Sequence, residues 1–397
     1  MVANKYCQGV AMNILYVVSS DVHQCKSGTE QRTNLLYKAL CELGKVYVVQ
    51  VGGVRRKING CHWELPIIKQ KGIERLYTIF ESLIVRLACP NCKLRYYFSP
   101  YHLEVRNVFP NVQFDKVVVR YLNNVGIFHL WKYGPLFVDI DDHPMQLYET
   151  LVLPRLNPFR AFIGKCVQAF FSKLCLSRVD GAWIANPSQY SLVAKVCKAA
   201  ILPNIPMLFD MPQDMNTGER NQYIFTVGLM SYSPNYEGVD SFLMKIWTKV
   251  HSVYPALEYK VVGKGLPNRY AQKWQAIPGV QVLGFVDDIR AVYANAMASV
   301  VPIESGSGTC IKTLESISNG RICFSTPFGA RGIEIGRESL SECGLFIYNT
   351  ADEFLLYLSK LYDHPTWKHE IEQYGRNKVR RVYSNDTFTD GVRNVLI

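Results

Sequence analysis

The chain contains no run of apolar residues approaching the ~20 that a helix needs to cross a bilayer, so none of its 397 residues belongs to an obvious spanning segment. The stretch that most imitates a secretory leader is Asn13-Ile14-Leu15-Tyr16-Val17-Val18-Ser19. It is too short, has one lysine upstream, and leads into polar residues instead of a small-residue cleavage site. A first β-strand is the better reading, with Met12 as an alternative initiator and residues 1–11 as a ragged extension. Twelve cysteines are present, yet their spacing shows no disulfide framework, which points to a reduced cytosol. Cys89-Pro90-Asn91-Cys92 lacks the second pair or histidine cluster of a zinc set, so plain loop thiols are preferred over a metal or redox centre. Also missing are a G-x-x-x-x-G-K-S/T phosphate loop, a G-x-G-x-x-G fingerprint, any nucleic-acid motif, internal repeats and low-complexity tracts.

What is present is a long, mixed α/β pattern. At 48% hydrophobic and 19% charged, 397 residues are too many for one core and suited to two. Strand-like runs alternate with helical ones: 13–19, a helix over 29–43, then 46–51, with further strands at 116–120, 136–140 and 181–184, the last after a helix over 159–177. Such alternation predicts largely parallel sheets with helices on both faces, twice over. Leu202-Pro203-Asn204-Ile205-Pro206 ends the first domain, and a polar linker over 212–221 opens the second.

The charge is lopsided. Residues 1–215 hold 25 Lys+Arg against 15 Asp+Glu, so they carry almost all of the net +11. A basic surface draws phosphate-rich partners, and without a nucleic-acid motif the remaining candidates are anionic lipid headgroups or a pyrophosphate-linked lipid. Arg55-Arg56-Lys57, Lys69, Lys71, Arg75, Arg86, Lys93 and Arg95 surround a predicted helix over 72–88. In that helix Ile73, Leu76, Tyr77, Phe80, Leu83, Ile84 and Leu87 recur at helical spacing. The stripe fits a helix lying on a membrane, and equally an ordinary core face.

The most informative segment is 301–334. An apolar run from Ala298 to Ile303 ends at Gly306-Ser307-Gly308-Thr309, which opens into a helix carrying Ile311, Leu314, Ile317 and Ser318 on one face. A second apolar run, 321–325, stops at Pro327 and Gly329. A strand, a glycine loop and a helix start together present free backbone N–H groups and a positive dipole end to an anion. Lys312 in the first turn can reach a phosphate there, and Glu315 on the same face can accept hydrogen bonds from a ribose diol. A simple turn would look similar, but a phosphate cradle beside a sugar acceptor is what holding a nucleotide sugar requires.

The text around this segment resembles the nucleotide-binding half of glycosyltransferase family 4, the retaining GT-B enzymes. The resemblance opens at Phe225-Thr226-Val227-Gly228-Leu229-Met230-Ser231-Tyr232-Ser233-Pro234-Asn235. It continues through Trp247, Pro255, Val261-Val262-Gly263-Lys264-Gly265, Pro278-Gly279-Val280 and Gly284-Phe285-Val286-Asp287-Asp288. It closes with Gly308-Thr309-x-x-Lys312-x-x-Glu315 and Ser325-Thr326-Pro327-x-Gly329-x-x-Gly332. Two departures stand out. The first Glu of the family's E-x7-E falls on Ser307, with Glu304 three residues too early. The Arg and Lys that many members carry after the first glycine are absent between Gly228 and Gly238.

The resemblance implies two Rossmann-like, doubly wound parallel-sheet domains facing a central cleft: residues 12–210 on the acceptor side and 222–375 holding the nucleotide sugar. A helix over 376–397 would cross back to the first domain. It implies a retaining glycosyltransferase with no metal and no cofactor beyond its nucleotide diphosphate sugar. The acceptor would be lipid-linked or saccharide, in bacterial cell-surface polysaccharide synthesis on the inner face of the cytoplasmic membrane. Expected donor contacts are Gly28, Thr29, Gly228, Val286, Gly306, Ser307, Gly308, Thr309, Lys312 and Glu315, with Lys312 also stabilising the leaving diphosphate.

In the first domain Ser27-Gly28-Thr29-Glu30-Gln31-Arg32 resembles the family's glycine loop, and by itself also fits a simple βα turn. Phe137-Val138-Asp139-Ile140-Asp141-Asp142-His143-Pro144 puts four ionisable groups at a strand's C-terminal end. Crowded like charges there are expected to raise one carboxyl pKa and keep the histidine protonated. Either Asp141 or His143 takes the family's catalytic-side histidine position; Asp139 and Asp141 also spell a D-x-D metal motif, and Asp142 suits a helix cap. The alternatives to a transferase are a GT-B nucleotide-sugar epimerase or phosphorylase, and a non-catalytic nucleotide-sugar scaffold.

Overall fold

Ile14-Leu15-Tyr16-Val17-Val18 is apolar at every position, the pattern of a strand covered on both faces, and all five side chains are fully buried. The computed structural model describes residues 12–25, 28–88, 94, 96, 98–208, 223–306, 309–336 and 339–397. Residues 1–11, Ser27, Cys89, Cys92, Lys93, Arg95, the 212–221 linker, Ser307 and Gly308 lie outside them. The chain divides into two compact units, one comprising Met1–Pro203 with Asn385–Ile397, the other Asn204–Ser384.

The first unit is built on β1 (Met12–Val18), β2 (Gly44–Gly52), β3 (Arg56–Asn59), β4 (His62–Pro66), β5 (Lys116–Arg120), β6 (Leu136–Ile140), β7 (Gly181–Ile184) and β8 (Lys198–Ile201). Their order is β3-β4-β2-β1-β5-β6-β7-β8, with only the β3–β4 pair antiparallel. The strands expected at 116–120, 136–140 and 181–184 coincide with β5, β6 and β7. The β3–β4 hairpin was not anticipated. Arg55 and Arg56 form ion pairs there with Glu104 and Glu64, and Arg55 and Lys57 stack over Trp63. Around the sheet lie α1 (Gly28–Leu43), α2 (Gly72–Ala88), α3 (Pro144–Leu151) and α4 (Pro158–Leu176). The apolar stripe of α2 is not a core face: Ile73, Leu76, Tyr77, Phe80, Leu83, Ile84 and Leu87 are 49–72% exposed.

The second unit holds β9 (Tyr223–Val227), β10 (Glu258–Val262), β11 (Val280–Gly284), β12 (Ala298–Val301), β13 (Cys323–Ser325) and β14 (Leu345–Ile347). All pairs are parallel, in the order β11-β10-β9-β12-β13-β14. Strand order reverses between β9 and β12 here, and between β1 and β5 in the first unit. Such switch points leave a crevice at the strands' C-terminal ends, because the connecting helices depart in opposite directions. Among the helices of this unit are α5 (Ser233–Phe242), α6 (Ile311–Ser318) and α7 (Pro365–Val382). The last helix, α8 (Asn385–Leu396), packs in the first unit against α1, β7 and β8. The Trp183 Nε1–H donates to the Gly391 carbonyl at 3.2 Å, and Lys198 Nζ to that of Val395.

Close approach of backbones fixes the strand ends of the second unit. Gly263 sits at φ +139°, and a Cβ there would overlap the Gly228 carbonyl. Gly263→Ala should therefore destabilise the fold by about 2–4 kcal/mol. A lowered denaturant midpoint with an unchanged m-value is expected; an unchanged midpoint would show that the two turns do not meet.

Candidate functional site

At the β9/β12 switch point the chain supplies small residues where a ligand must approach. Gly228 follows β9, and a Cβ on it would stand 3.0 Å from Lys312 Cε and Nζ and 3.1 Å from Asn235 Nδ2. Gly306, at φ +117°, lies where a Cβ would come 3.2 Å from the Tyr232 hydroxyl. After Thr309 the N-cap of α6 is Cys310, whose side chain makes no capping bond. The first amides of α6 thus have no side-chain cap competing with an incoming anion.

Lys312 Nζ donates to Asn235 Oδ1 at 2.8 Å, and Asn235 Nδ2 in turn donates to the Leu229 carbonyl at 2.7 Å. Asn235, on α5, therefore orients the ammonium while itself being held by the turn after β9. Glu315, one turn along α6, is partly buried. Burial raises its carboxyl to about 7, against the opposing pulls of the Met207 N–H and the Lys312 ammonium. Asn319 fastens the same segment, donating from Nδ2 to the Met207 and Glu315 carbonyls at 2.9 and 2.8 Å. Val286 is half-buried beyond β11, packed with Val227 against Phe225 and Val262. The structure thus brings Gly228, Gly306, Lys312 and Glu315 to one strand end. Sequence reading passed over Asn235 as a motif letter and missed the Met207 amide, which no side-chain pattern signals.

In the first unit, the β1/β5 switch point is filled by charge. Arg32 Nε and Nη2 donate to Asp139 at 2.9 and 2.6 Å, and Nη1 to the Leu202 carbonyl at 2.9 Å. Arg120 donates to Asp139 Oδ2 at 3.0 Å, Asp141 Oδ2 at 2.8 Å, Thr33 Oγ1 at 2.7 Å and the Thr29 carbonyl at 2.6 Å. Both guanidiniums and Asp139 are fully buried, whereas Asp141 keeps 17% of its side chain in contact with solvent. Tyr121 follows at φ +71°, its ring under the Arg120 guanidinium. The first turn of α1 is pinned by Arg120 through Thr29, while Gly28 has open space where a Cβ would point.

This arrangement corrects the expected histidine charge and helix cap, and it fixes the direction for one of the crowded carboxyls. Crowding does not raise the Asp139 pKa: burial alone would, but Arg32 and Arg120 outweigh it and hold the carboxyl below its usual range. His143 is not protonated, because burial pushes it down to about 4. The cap of α3 is His143 and not Asp142: His143 Nδ1 accepts from the Met145 N–H at 3.2 Å. That leaves the proton on Nε2, which donates to Ser172 Oγ at 3.0 Å. Asp141 therefore keeps an edge in contact with solvent, whereas His143 is buried. Asp139 and Asp141 also spend their oxygens on guanidiniums instead of forming an open D-x-D pair. The two arginines were invisible to sequence reading because they come from a helix and a strand 88 positions apart.

Together these features define a two-unit, parallel-sheet α/β protein of the GT-B type with a small-residue, cation-bearing strand end. Residues 221–364 match the family model described as "Glycosyl transferases group 1". The chain resembles the solved structure of sucrose-phosphate synthase from Thermosynechococcus elongatus, 12% identical over 97% of this chain and 98% of that one, TM-score 0.66. Anabaena HepE in complex with UDP-glucose is similar too, 10% identical over 97% and 99%, TM-score 0.61. So is the pneumococcal O-GlcNAc transferase GtfA in complex with UDP and GlcNAc, 10% identical over 97% and 98%, TM-score 0.58. No curated protein matches the chain. The family match and the fold together support a group 1 glycosyltransferase.

Two stability measurements check the first-unit network. Asp139→Asn leaves two buried guanidiniums short of their shared counter-charge and should cost about 3–5 kcal/mol; a loss below 1 kcal/mol would mean that water already screens them. The native His143 stays neutral while the unfolded chain takes up a proton below its ordinary 6.5. Its contribution is present above pH 6.5 and lost as pH falls towards about 4. His143→Asn keeps a capping acceptor without titrating, so between pH 7 and 5 the parent should lose about 2 kcal/mol more than the variant. Equal losses would place a proton on the native histidine.

Proposed function

We propose that this chain is a retaining, metal-independent glycosyltransferase that takes its sugar from a nucleoside diphosphate sugar. The observation that carries the proposal is the Lys312–Asn235 pair beside Glu315 and the uncapped start of α6, gathered at the β9/β12 switch point. The ionised Glu315 accepts from the ribose diol. Lys312 and the amides at the start of α6 meet charge as it grows on the departing diphosphate, which is where electrostatic stabilisation accelerates a reaction. The bond from the anomeric carbon to the diphosphate oxygen breaks as one forms to the acceptor oxygen on the same face. The acceptor's proton passes to the leaving diphosphate, and no protein nucleophile takes part.

Asp141, with its solvent-facing edge, is the side chain we assign to the acceptor side, together with Gly28 and Thr29. The relatives crystallised with UDP make a uridine diphosphate sugar the first donor to test. The acceptor is a lipid-linked or saccharide chain of a bacterial surface polysaccharide. The excess of basic residues in 1–215 then holds the enzyme on the anionic inner face of the cytoplasmic membrane. Among the described residues no helix is long and apolar enough to cross a membrane.

The donor site is tested by binding and turnover together. UDP should raise the melting temperature more than GDP, ADP or CMP. Glu315→Gln loses charge-assisted bonds worth ~1.5–3 kcal/mol, weakening UDP binding about tenfold or more. Because ligand binds the ionised carboxylate, parent affinity should tighten as pH rises through about 7, and this slope should vanish in Glu315→Gln. Lys312→Ala should lower kcat more than it raises the donor KM, and EDTA should leave turnover intact. Parent-like transfer by both variants, or strict dependence on added Mn²⁺, would overturn the assignment.

A further inference from the structure

A groove of about 830 Å³ opens between α2 and α4, outside the strand ends described above. Tyr77, Phe80 and Ile84 form one wall; Cys166, Phe170 and Leu174 form the other. Apart from Glu81 and Ser99 the lining residues are apolar or aromatic. The volume falls in the range, roughly 300–1000 Å³, of sites that enclose small ligands. The apolar surface extends past the rim. Phe159, Phe162 and Phe170 on α4 are 63–73% exposed, Phe98 is 80% exposed, and the α2 stripe is exposed as well. Exposed apolar surface on this scale marks a binding face.

Charge around the groove selects the occupant. Residues 155–178 hold five basic side chains and no acidic one; residues 69–88 hold four basic and two acidic. Lys69, Lys71, Arg75, Arg86, Arg160 and Lys173 are exposed. A sugar or bare phosphate gains nothing from an apolar trough, and a second copy of this chain would bring like charges together. An anionic head on a long hydrocarbon tail satisfies both parts.

We infer that the α2–α4 groove takes the hydrocarbon chain of a single-chain lipid phosphate, with the phosphate resting among the basic side chains at the rim. This rests on the proposed transferase only for the lipid's use as acceptor; the binding itself needs neither donor nor turnover. It narrows the acceptor class to lipids whose sugar-bearing phosphate carries a long single chain.

The test uses the full chain and dodecyl phosphate below its micelle concentration, followed by calorimetry. Saturable one-site binding is expected, with butyl phosphate weaker by at least about tenfold because the tail supplies most of the attraction. Phe170→Ser with Ile84→Ser, both at exposed positions, should weaken dodecyl phosphate about tenfold, whereas Leu87→Ser should leave it unchanged. Equal binding of the four-carbon ester, or parent-like binding by the groove variant, overturns the inference. So does binding to phosphatidylglycerol vesicles without binding of the monomeric ester, which would mean flat adsorption. A dimer that dodecyl phosphate fails to dissociate would assign the groove to a second copy. UDP stabilisation is measured alongside: if it persists while the ester fails to bind, only the groove assignment falls, and the reverse outcome removes the donor reading instead.

Discussion

A strand inside a parallel sheet must hand its chain to a helix within a few residues, without leaving buried backbone groups bare. Both units meet this constraint at their switch points, in opposite ways. In the second, the turns after β9 and β10 are packed so closely that only a hydrogen fits at Gly263 beside the Gly228 carbonyl. In the first, Arg120 and Arg32 fill the space and satisfy the Thr29 and Leu202 carbonyls. One solution leaves an opening lined by amides and an ammonium. The other leaves a rigid cluster in which two guanidinium charges answer two carboxylates.

That difference decides what each strand end can bind. The arginine cluster is balanced internally, so an incoming anion or cation would have to break good ion pairs before gaining new ones. Lys312 is held differently. It lowers the Glu315 pKa through space, yet its hydrogen bond goes to the neutral Asn235. A direct Lys312–Glu315 pair would have consumed both charges. Tethering the lysine to an amide keeps its full charge for a ligand and keeps the carboxylate reluctant to ionise until something donates to it. An ammonium and a carboxyl held apart in this way suit the proposed donor, which brings negative charge to one residue and hydroxyl donors to the other.

Strand positions were readable because a strand covered on both faces must be apolar throughout, as Val117-Val118-Val119 is between its charged ends. The helix at 72–88 was readable from its spacing, and the Gly306–Glu315 segment from its glycines. What the sequence withheld depended on distant partners. The letters of 139–143 show four ionisable groups in five positions and nothing of Arg32, so local repulsion looked decisive where a long-range ion pair governs. His143 looked like a surface acid–base group because its letters cannot report that burial and the start of α3 have already engaged both ring nitrogens. The β3–β4 hairpin escaped because Arg56-Lys57-Ile58-Asn59 is an edge strand, exposed at every position and without an alternating apolar face.

The same limit explains why the stripe on α2 could be read two ways. Periodicity says that one face is apolar but not what covers it, and a core helix and a surface-binding helix share that period. Here only part of the face is covered by protein. Val85 is buried, whereas Phe80 and Leu87 on neighbouring turns are exposed. A purely structural helix would gain by replacing those exposed residues with polar ones, since each adds aggregation risk without burying area on folding. Surrounding them with lysines and arginines, and with hardly any acids, does not reduce that apolar exposure. It repels further copies of the chain while leaving the face open to an apolar body with a negative head. The charge imbalance of the first half of the chain and the uncovered stripe thus meet on one surface, whose apolar and cationic parts lie side by side as the proposed lipid phosphate requires.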